Sequence, residues 1–218
     1  MDIGKLSVKE KTALITKAVI KVLEKVSTIP IGVSNRHIHL SRQDMDVLFG
    51  TGSELRQTKA LRQPGQYACE QTVQLKGPKG SLSKVRVLGP LRPDTQVEIS
   101  VTDGFTLGVN PPVRESGHIE NSAGIEIIGP RGTVHKDSGV IAALRHIHMT
   151  TEDAGLFGLS DKDYVSVTVG SGVRRATLHN VLVRVSDSYA LEMHLDVDEA
   201  NGVGAKNGDC AVISEVYS

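Results

Sequence analysis

Hydrophobic and polar positions change their rhythm near residue 30. Before it, Ile15, Val19, Val22, Leu23 and Val26 recur at helical spacing, with Lys11, Lys17, Lys21, Glu24 and Lys25 on the other face. This is the pattern of an amphipathic helix. Ser7-Val8-Lys9-Glu10 reads as its capping box, in which hydroxyl and carboxylate each satisfy a free backbone donor. Pro30 then disfavours helix at Ile29. After residue 30 the rhythm is that of short strands. Val73-Gln74-Leu75, Val85-Arg86-Val87-Leu88, Val97-Glu98-Ile99-Ser100-Val101, Val165–Val169, Val181–Val185 and Leu191–Leu195 alternate or run apolar. Turns such as Gly77-Pro78-Lys79-Gly80 and Gly129-Pro130-Arg131-Gly132 separate them. Many short strands and few long helical stretches predict an all-β sandwich or barrel behind the N-terminal helix.

The pattern also repeats. Residues 36–44 read RHIHLSRQD and residues 145–153 read RHIHMTTED, and Leu48-Phe49-Gly50 and Leu156-Phe157-Gly158 follow them. Downstream, Ser81-Leu82-Ser83-Lys84-Val85 resembles Thr177-Leu178-His179-Asn180-Val181, and Val97–Val101 resembles Leu191–Leu195. Two halves of one plan imply duplicated β-domains related by a pseudo-twofold, with recurring residues facing one another across the axis.

The triplets carry the chemistry. Side chains at i and i+2 of a strand share a face, so His37 and His39 point one way and Ile38 the other, and likewise His146 and His148 against Ile147. Ser41 and Thr150 are placed to N-cap short helices holding Asp44 and Asp153. A single His-x-His is common as packing. Two copies in the same local context, using four of the eight histidines, point to metal. By strand parity Glu98 can add a carboxylate to the first pair and His194 an imidazole to the second. The two sets, His37/His39/Glu98 and His146/His148/His194, each have three protein donors, the pattern of a catalytic rather than a structural metal. His118, His135 and His179 lack such partners and read as surface residues. Cys69 and Cys210 read as inert thiols and do not make a disulfide framework, which fits a reducing, intracellular compartment.

Composition excludes several classes. Formal net charge is zero with no basic run, which argues against nucleic-acid binding. Trp is absent and aromatic residues are scarce. No apolar run spans a bilayer and no signal-peptide pattern is present, so no membrane partner is expected. No Gly-x-Gly-x-x-Gly opens a helix after a strand, so a Rossmann phosphate cradle is not expected.

GVSNRHIHLS (32–41), QPGQYACEQTVQLKGPKG (63–80), VRVLGPLRPDTQVEIS (85–100), LRHIHM (144–149) and LEMHLDVDEANG (191–202) resemble the PduL-type phosphate propanoyltransferases. The resemblance implies a mainly β fold of two β-barrels capped by short helices, with a pair of zinc ions between them. It implies domains of 29–35 with 144–218 and of 36–143, preceded by residues 1–28 as a possible encapsulation peptide. It carries metal-ligand roles onto His37, His39 and Glu98 for one ion and His146, His148 and His194 for the other, and an active-site role onto Arg92. The implied reaction interconverts acyl-CoA and phosphate with acyl phosphate and CoA, on propanoyl-CoA or acetyl-CoA. It also implies a cytoplasmic location inside a bacterial microcompartment, shell or lumen partners for residues 1–28, and a homo-oligomer.

In such a reaction phosphate attacks a thioester carbonyl and a thiolate leaves, with no protein nucleophile required. Arg92 suits phosphate or a developing oxyanion through its planar donors. Gln96, Ser116 and Arg184 are candidates for polar support, and Phe105 for stacking on adenine. A metal-dependent CoA-thioester hydrolase is the nearest alternative, since the same donors can activate water. A cupin-type oxygenase places its Glu much closer to the His-x-His and leaves the second triplet unexplained. A non-enzymatic microcompartment scaffold with structural metals is the third alternative.

Overall fold

A computed structural model describes residues 7–16 and 27–217. The described part of the N-terminal helix, α1, covers residues 8–16. Its capping box forms as expected: Glu10 accepts from the Ser7 backbone at 2.8 Å, and Ser7 Oγ accepts from Glu10 N at 3.3 Å. The stripe positions Val19, Val22, Leu23 and Val26 lie outside the described residues. No helix among the described residues is long and apolar enough to cross a membrane.

The protein is mainly β, with two closed six-stranded barrels and short capping helices. The first ring runs β1 (Thr28–Ser34), β13 (Glu192–Asp196), β10 (His146–Met149), β12 (Ala176–Val185), β11 (Tyr164–Val169) and β14 (Cys210–Tyr217). β1 closes it by pairing parallel with β13 and antiparallel with β14. The second ring runs β4 (Tyr67–Lys76), β5 (Ser81–Gly89), β2 (His37–His39), β6 (Gln96–Glu98), β9 (Thr133–Ala143) and β8 (Ala123–Ile128), which returns to β4. β3 (Gln57–Ala60) and β7 (Val113–Arg114) extend its edges. β1 is thus parted in sequence from the other strands of its ring by the whole second barrel.

Each barrel closes on its own core. Ile29, Ile31, Ile147, Val167 and Met193 fill the first, and Ile38, Leu75, Val87, Val97 and Ile127 the second. Full burial of one such side chain stabilises by about 1.5–3 kcal/mol. Ile38 and Ile147, both 0% exposed, are the centres of the two triplets. Because neighbouring strand residues face opposite ways, an inward Ile turns both flanking imidazoles out of its barrel. The neighbouring barrel then covers them.

The duplication is structural. β2, β5 and β6 recur as β10, β12 and β13, with the same parallel and antiparallel pairings. α2 (Arg42–Phe49) and α4 (Thr151–Phe157) follow the triplets, capped by Ser41 and Thr150. α3 (Val101–Leu107) and α5 (Val197–Val203) follow β6 and β13. Lys84 and Asn180, which align in the repeat, share the left-handed conformation at φ 57° and 55°. One expectation is corrected. The strand read over Val97–Val101 stops at Glu98, because the Ser100 hydroxyl accepts from Asp103 N at 3.2 Å and caps α3. A satisfied cap outweighs the β preference of Val101.

Candidate active site between the barrels

The two triplets meet in one cavity of about 580 Å³ lined from both barrels. His37, His39 and Glu98 bring donor atoms within 4.8 Å of one another, and so do His146, His148 and His194. Registers explain the convergence. On one ladder His37 lies opposite Glu98, and on the other His146 lies opposite His194.

Arginines before the triplets brace them. Arg36 grips Asp103 in the first turn of α3 with two contacts, 2.9 and 2.8 Å. Arg145 reaches Glu199 in the first turn of α5 at 2.9 Å. Each brace ties a triplet strand to the helix that follows its partner strand, so the repeated arginine has a positional role.

Backbone carbonyls set two of the rings. His37 Nδ1 bonds Asn35 O and His146 Nδ1 bonds Leu144 O, both at 2.8 Å. A carbonyl only accepts, so the proton sits on Nδ1 and the lone pair on Nε2. His39 Nδ1 and both ring nitrogens of His148 are buried without a hydrogen-bond partner. Buried unpaired nitrogens are costly, and a divalent cation would take up the lone pair of one nitrogen on each ring.

Electrostatics favours the neutral, ligating form. Burial, then the neighbouring His194, holds the pKa of His146 at about 4. Burial, with His146, His194 and Arg184, holds His148 near about 2. Burial first, then His37 and Arg92, pushes His39 well below the usual range. Burial alone would raise Glu98, but His37, His39, the Ser116 hydroxyl and Arg92 outweigh it and hold the carboxyl near about 2. Glu98 is therefore an anion beside the neutral imidazole of His39, and carboxylate with imidazole is a donor set that fits zinc or a similar divalent ion.

Arg92 lines the cavity, half-buried, with its backbone N–H on Leu40 O at 2.9 Å and NH1 3.4 Å from Ser116 Oγ. Gln96 and Ser116 donate to Glu98 Oε1 at 2.6 and 2.9 Å, and Gly117 N donates to Gln96 Oε1 at 2.8 Å. They hold the carboxylate. Arg184 lines the cavity and is paired with Glu115 at 3.2 Å. Phe105 sits 76% exposed on α3 and is not part of the cavity wall. His118 and His135 are exposed, and His179 is exposed on the outside of the first barrel against Ser166 and Tyr217. Cys69 is buried, its thiol pushed up to about 11 by burial, and Cys210 is exposed.

Sequence reasoning passed over three wall residues. Tyr189 stacks on His148 with ring centroids 4.1 Å apart. Gln63, inside the quoted QPGQY stretch, donates to Ala190 O and to Glu192 Oε2 at 2.9 Å each. Glu192 lies two residues before His194 and shares its face. Strand parity was a usable signal for Glu192. Nothing in the sequence pairs Gln63 with a strand of the other half, or Tyr189 with His148.

Comparison with known proteins agrees in one direction. A family model described as phosphate propanoyltransferase matches residues 30–206. The chain is 60% identical over 181 residues to a phosphate propanoyltransferase of Rhodopseudomonas palustris, covering 83% of this chain and 80% of that protein. It is 55% identical over 199 residues to one of Thermotoga maritima, covering 91% and 95%. It is 51% identical over 196 residues to one of Salmonella typhimurium, covering 89% and 93%.

Proposed function

The chain belongs to the phosphate propanoyltransferase family, a family of phosphate acyltransferases, and from that premise we propose that it interconverts propanoyl-CoA or acetyl-CoA plus phosphate with acyl phosphate plus CoA at a dinuclear metal site. The carrying observation is that two three-donor groups and Arg92 face one cavity between two barrels.

His37, His39 and Glu98 would hold one divalent ion and His146, His148 and His194 the other, zinc being our choice. Ions bound there supply Lewis acidity, which favours a thiolate leaving group and an oriented phosphate. The residues of the chain do the rest. Arg92 offers a planar pair of donors to phosphate or to the oxyanion that develops on the thioester carbonyl. Ser116 and Gln96 keep Glu98 ionised and fixed. Arg184, held by Glu115, adds positive charge on the side of His148. The barrels bury Glu98 and the four triplet histidines, which strengthens the interactions these groups make. Neither Cys69 nor Cys210 lines the cavity, and the reaction requires no protein nucleophile, so our reading takes acyl transfer directly from sulfur to phosphate in a ternary complex. A phosphate oxygen bonds to the carbonyl carbon, the carbon–sulfur bond breaks, and the thiolate leaves.

We assign residues 29–35 with 144–218 to one domain and 36–143 to the other. We assign residues 1–28 to docking on microcompartment shell or lumen proteins, and expect a homo-oligomer.

The test is release of free thiol from propanoyl-CoA and acetyl-CoA, with and without phosphate, on protein of known metal content. We expect release that requires phosphate, stops on chelation and is lost in His37→Ala and His146→Ala. Equal release without phosphate would establish the hydrolase instead.

A further inference from the structure

Three consecutive residues after β7 touch the supports of both donor groups. The strand is anchored at its end, where Arg114 O accepts from Leu144 N at 2.7 Å, and the carbonyl of Leu144 is the one that sets His146. Ser116 donates to Glu98 Oε1 at 2.9 Å and Gly117 N donates to Gln96 Oε1 at 2.8 Å, so two of the three serve the Glu98 side. Glu115 serves the other. Its carboxylate leaves its own barrel and pairs with two cations of the first: Lys162, just before β11, and Arg184 of β12, whose Nε stands 3.2 Å away. Burial alone would raise the Glu115 carboxyl, but Lys162, Arg184 and His118 outweigh it and lower it. Arg184 lies beside His148 on the ladder, and its guanidinium carbon stands 5.7 Å from the centre of the Tyr189 ring. It shares the cavity with Arg92. Burial lowers the pKa of Arg92, Glu98 offsets part of that, and the charge of Arg184 lowers it further, so the two guanidiniums repel one another. A long, partly exposed arginine in that position turns to solvent unless something fixes it. Glu115 engages only its Nε; among the described residues NH1 and NH2 have no hydrogen-bond partner and are left for a ligand.

We propose that Glu115 is a positioning residue for anion binding: by holding Arg184 of the other barrel at Nε, it keeps that guanidinium in the cavity with Arg92, so that phosphate, or the phosphoryl group of an acyl phosphate, meets one arginine from each barrel. The inference rests on the phosphate acyltransferase reading. A carboxylate near an anion site opposes the anion by its charge, so its presence has to be explained by what it holds. What it holds here is a donor whose geometry is fixed before the ligand arrives, which spares the ligand the cost of ordering it. Because Ser116 and Gly117 fix the Glu98 side from the same stretch of backbone, one short segment sets the positions of groups on both sides of the site.

The experiment uses the full chain loaded with zinc, and reads steady-state thiol release together with phosphate affinity by calorimetry. On charge alone, Glu115→Gln removes an anion near an anion site and tightens phosphate. Positioning predicts the opposite sign: we expect the KM and Kd for phosphate to rise about 10-fold with the KM for the thioester unchanged. Lys162→Met, which spares the Arg184 pair, should leave phosphate binding within about twofold. In an Arg184→Ala background Glu115→Gln should no longer weaken phosphate. Should the amide variant fail to fold, Glu115→Asp, which keeps the charge and shortens the reach, should weaken phosphate in the same sense. Phosphate bound as before or more tightly, an equal rise in the thioester KM, equal weakening in Lys162→Met, or weakening that persists without Arg184 would each overturn the proposal. Unaltered protein whose thiol release does not need phosphate would instead overturn the acyltransferase reading, and the calorimetry would still judge Glu115.

Discussion

His146 shows at one residue what burial does to this site. Its pKa near about 4 stands well below that of a free imidazole, because burial and His194 disfavour the charged ring. Between about 4 and 6.5 an unfolded chain takes up a proton there that the folded chain refuses. Metal-free protein should therefore lose stability as pH falls through that window, by roughly 1.4 kcal/mol per unit at most for each such group, and be flat above it. Unfolding midpoints of chelated protein from pH 8 to 4 would check this. The same shift makes protons poor competitors for metal. Metal content measured after dialysis should hold to about pH 5 and fall only near pH 4. At Arg92, replacement by Ala should lower kcat about 10²–10³-fold, and Lys should restore little, since an ammonium lacks the planar fork. Steady-state rates at saturating phosphate test both.

At the scale of elements, the strand triplets, their braces and their caps work as one unit used twice. Arg36 with Asp103 and Arg145 with Glu199 hold each triplet against the helix beyond its partner strand. Arg145→Met should loosen the three-histidine group and cost it metal before it costs the fold. Metal stoichiometry and the unfolding midpoint, measured together, would separate the two effects. The repeated left-handed residue in β5 and β12 marks a second shared device. Lys84 is exposed and at φ 57°, where a side chain clashes with its own backbone. Lys84→Gly should stabilise by about 0.5–1 kcal/mol despite glycine's greater unfolded freedom. Asn180→Gly should do less, because Asn tolerates that conformation better. Chemical denaturation of both variants checks the order.

For the whole molecule, closure of the first barrel depends on β1. Ile29 and Ile31 are buried in its core, and the strand supplies pairing to both β13 and β14. Removal of residues 1–26 should leave phosphate-dependent thiol release intact, while removal through Ser34 should abolish folding and activity together. Circular dichroism and the thiol assay on the two truncations would show it. Contacts between barrels set the site itself: Gln63 to Ala190 and Glu192, Arg62 to Leu191 O at 3.1 Å, and Thr102 N to Asp198 at 2.9 Å. Neither barrel alone would bury the imidazoles, because they face out of the barrel that carries them.

Local chemistry was legible along the chain. Alternation set the faces of His37, Ile38 and His39, Ser41 and Thr150 announced helix starts, and the repeat announced duplication. Parity then singled out Glu98 and His194, and the six residues so named are the ones that converge. These features depend on neighbours a few residues away. Only the tertiary structure decided the rest. It placed β1 in a ring with strands more than a hundred residues later, ended β6 at Glu98 in favour of the Ser100 cap, and set Gln63 and Tyr189 against β13 and His148. It also decided that His39, His146 and His148 stay neutral, since their pKa values depend on which distant surface excludes water from them. Periodicity along a chain encodes which way a side chain points; what it meets there is determined by segments that share no local pattern with it.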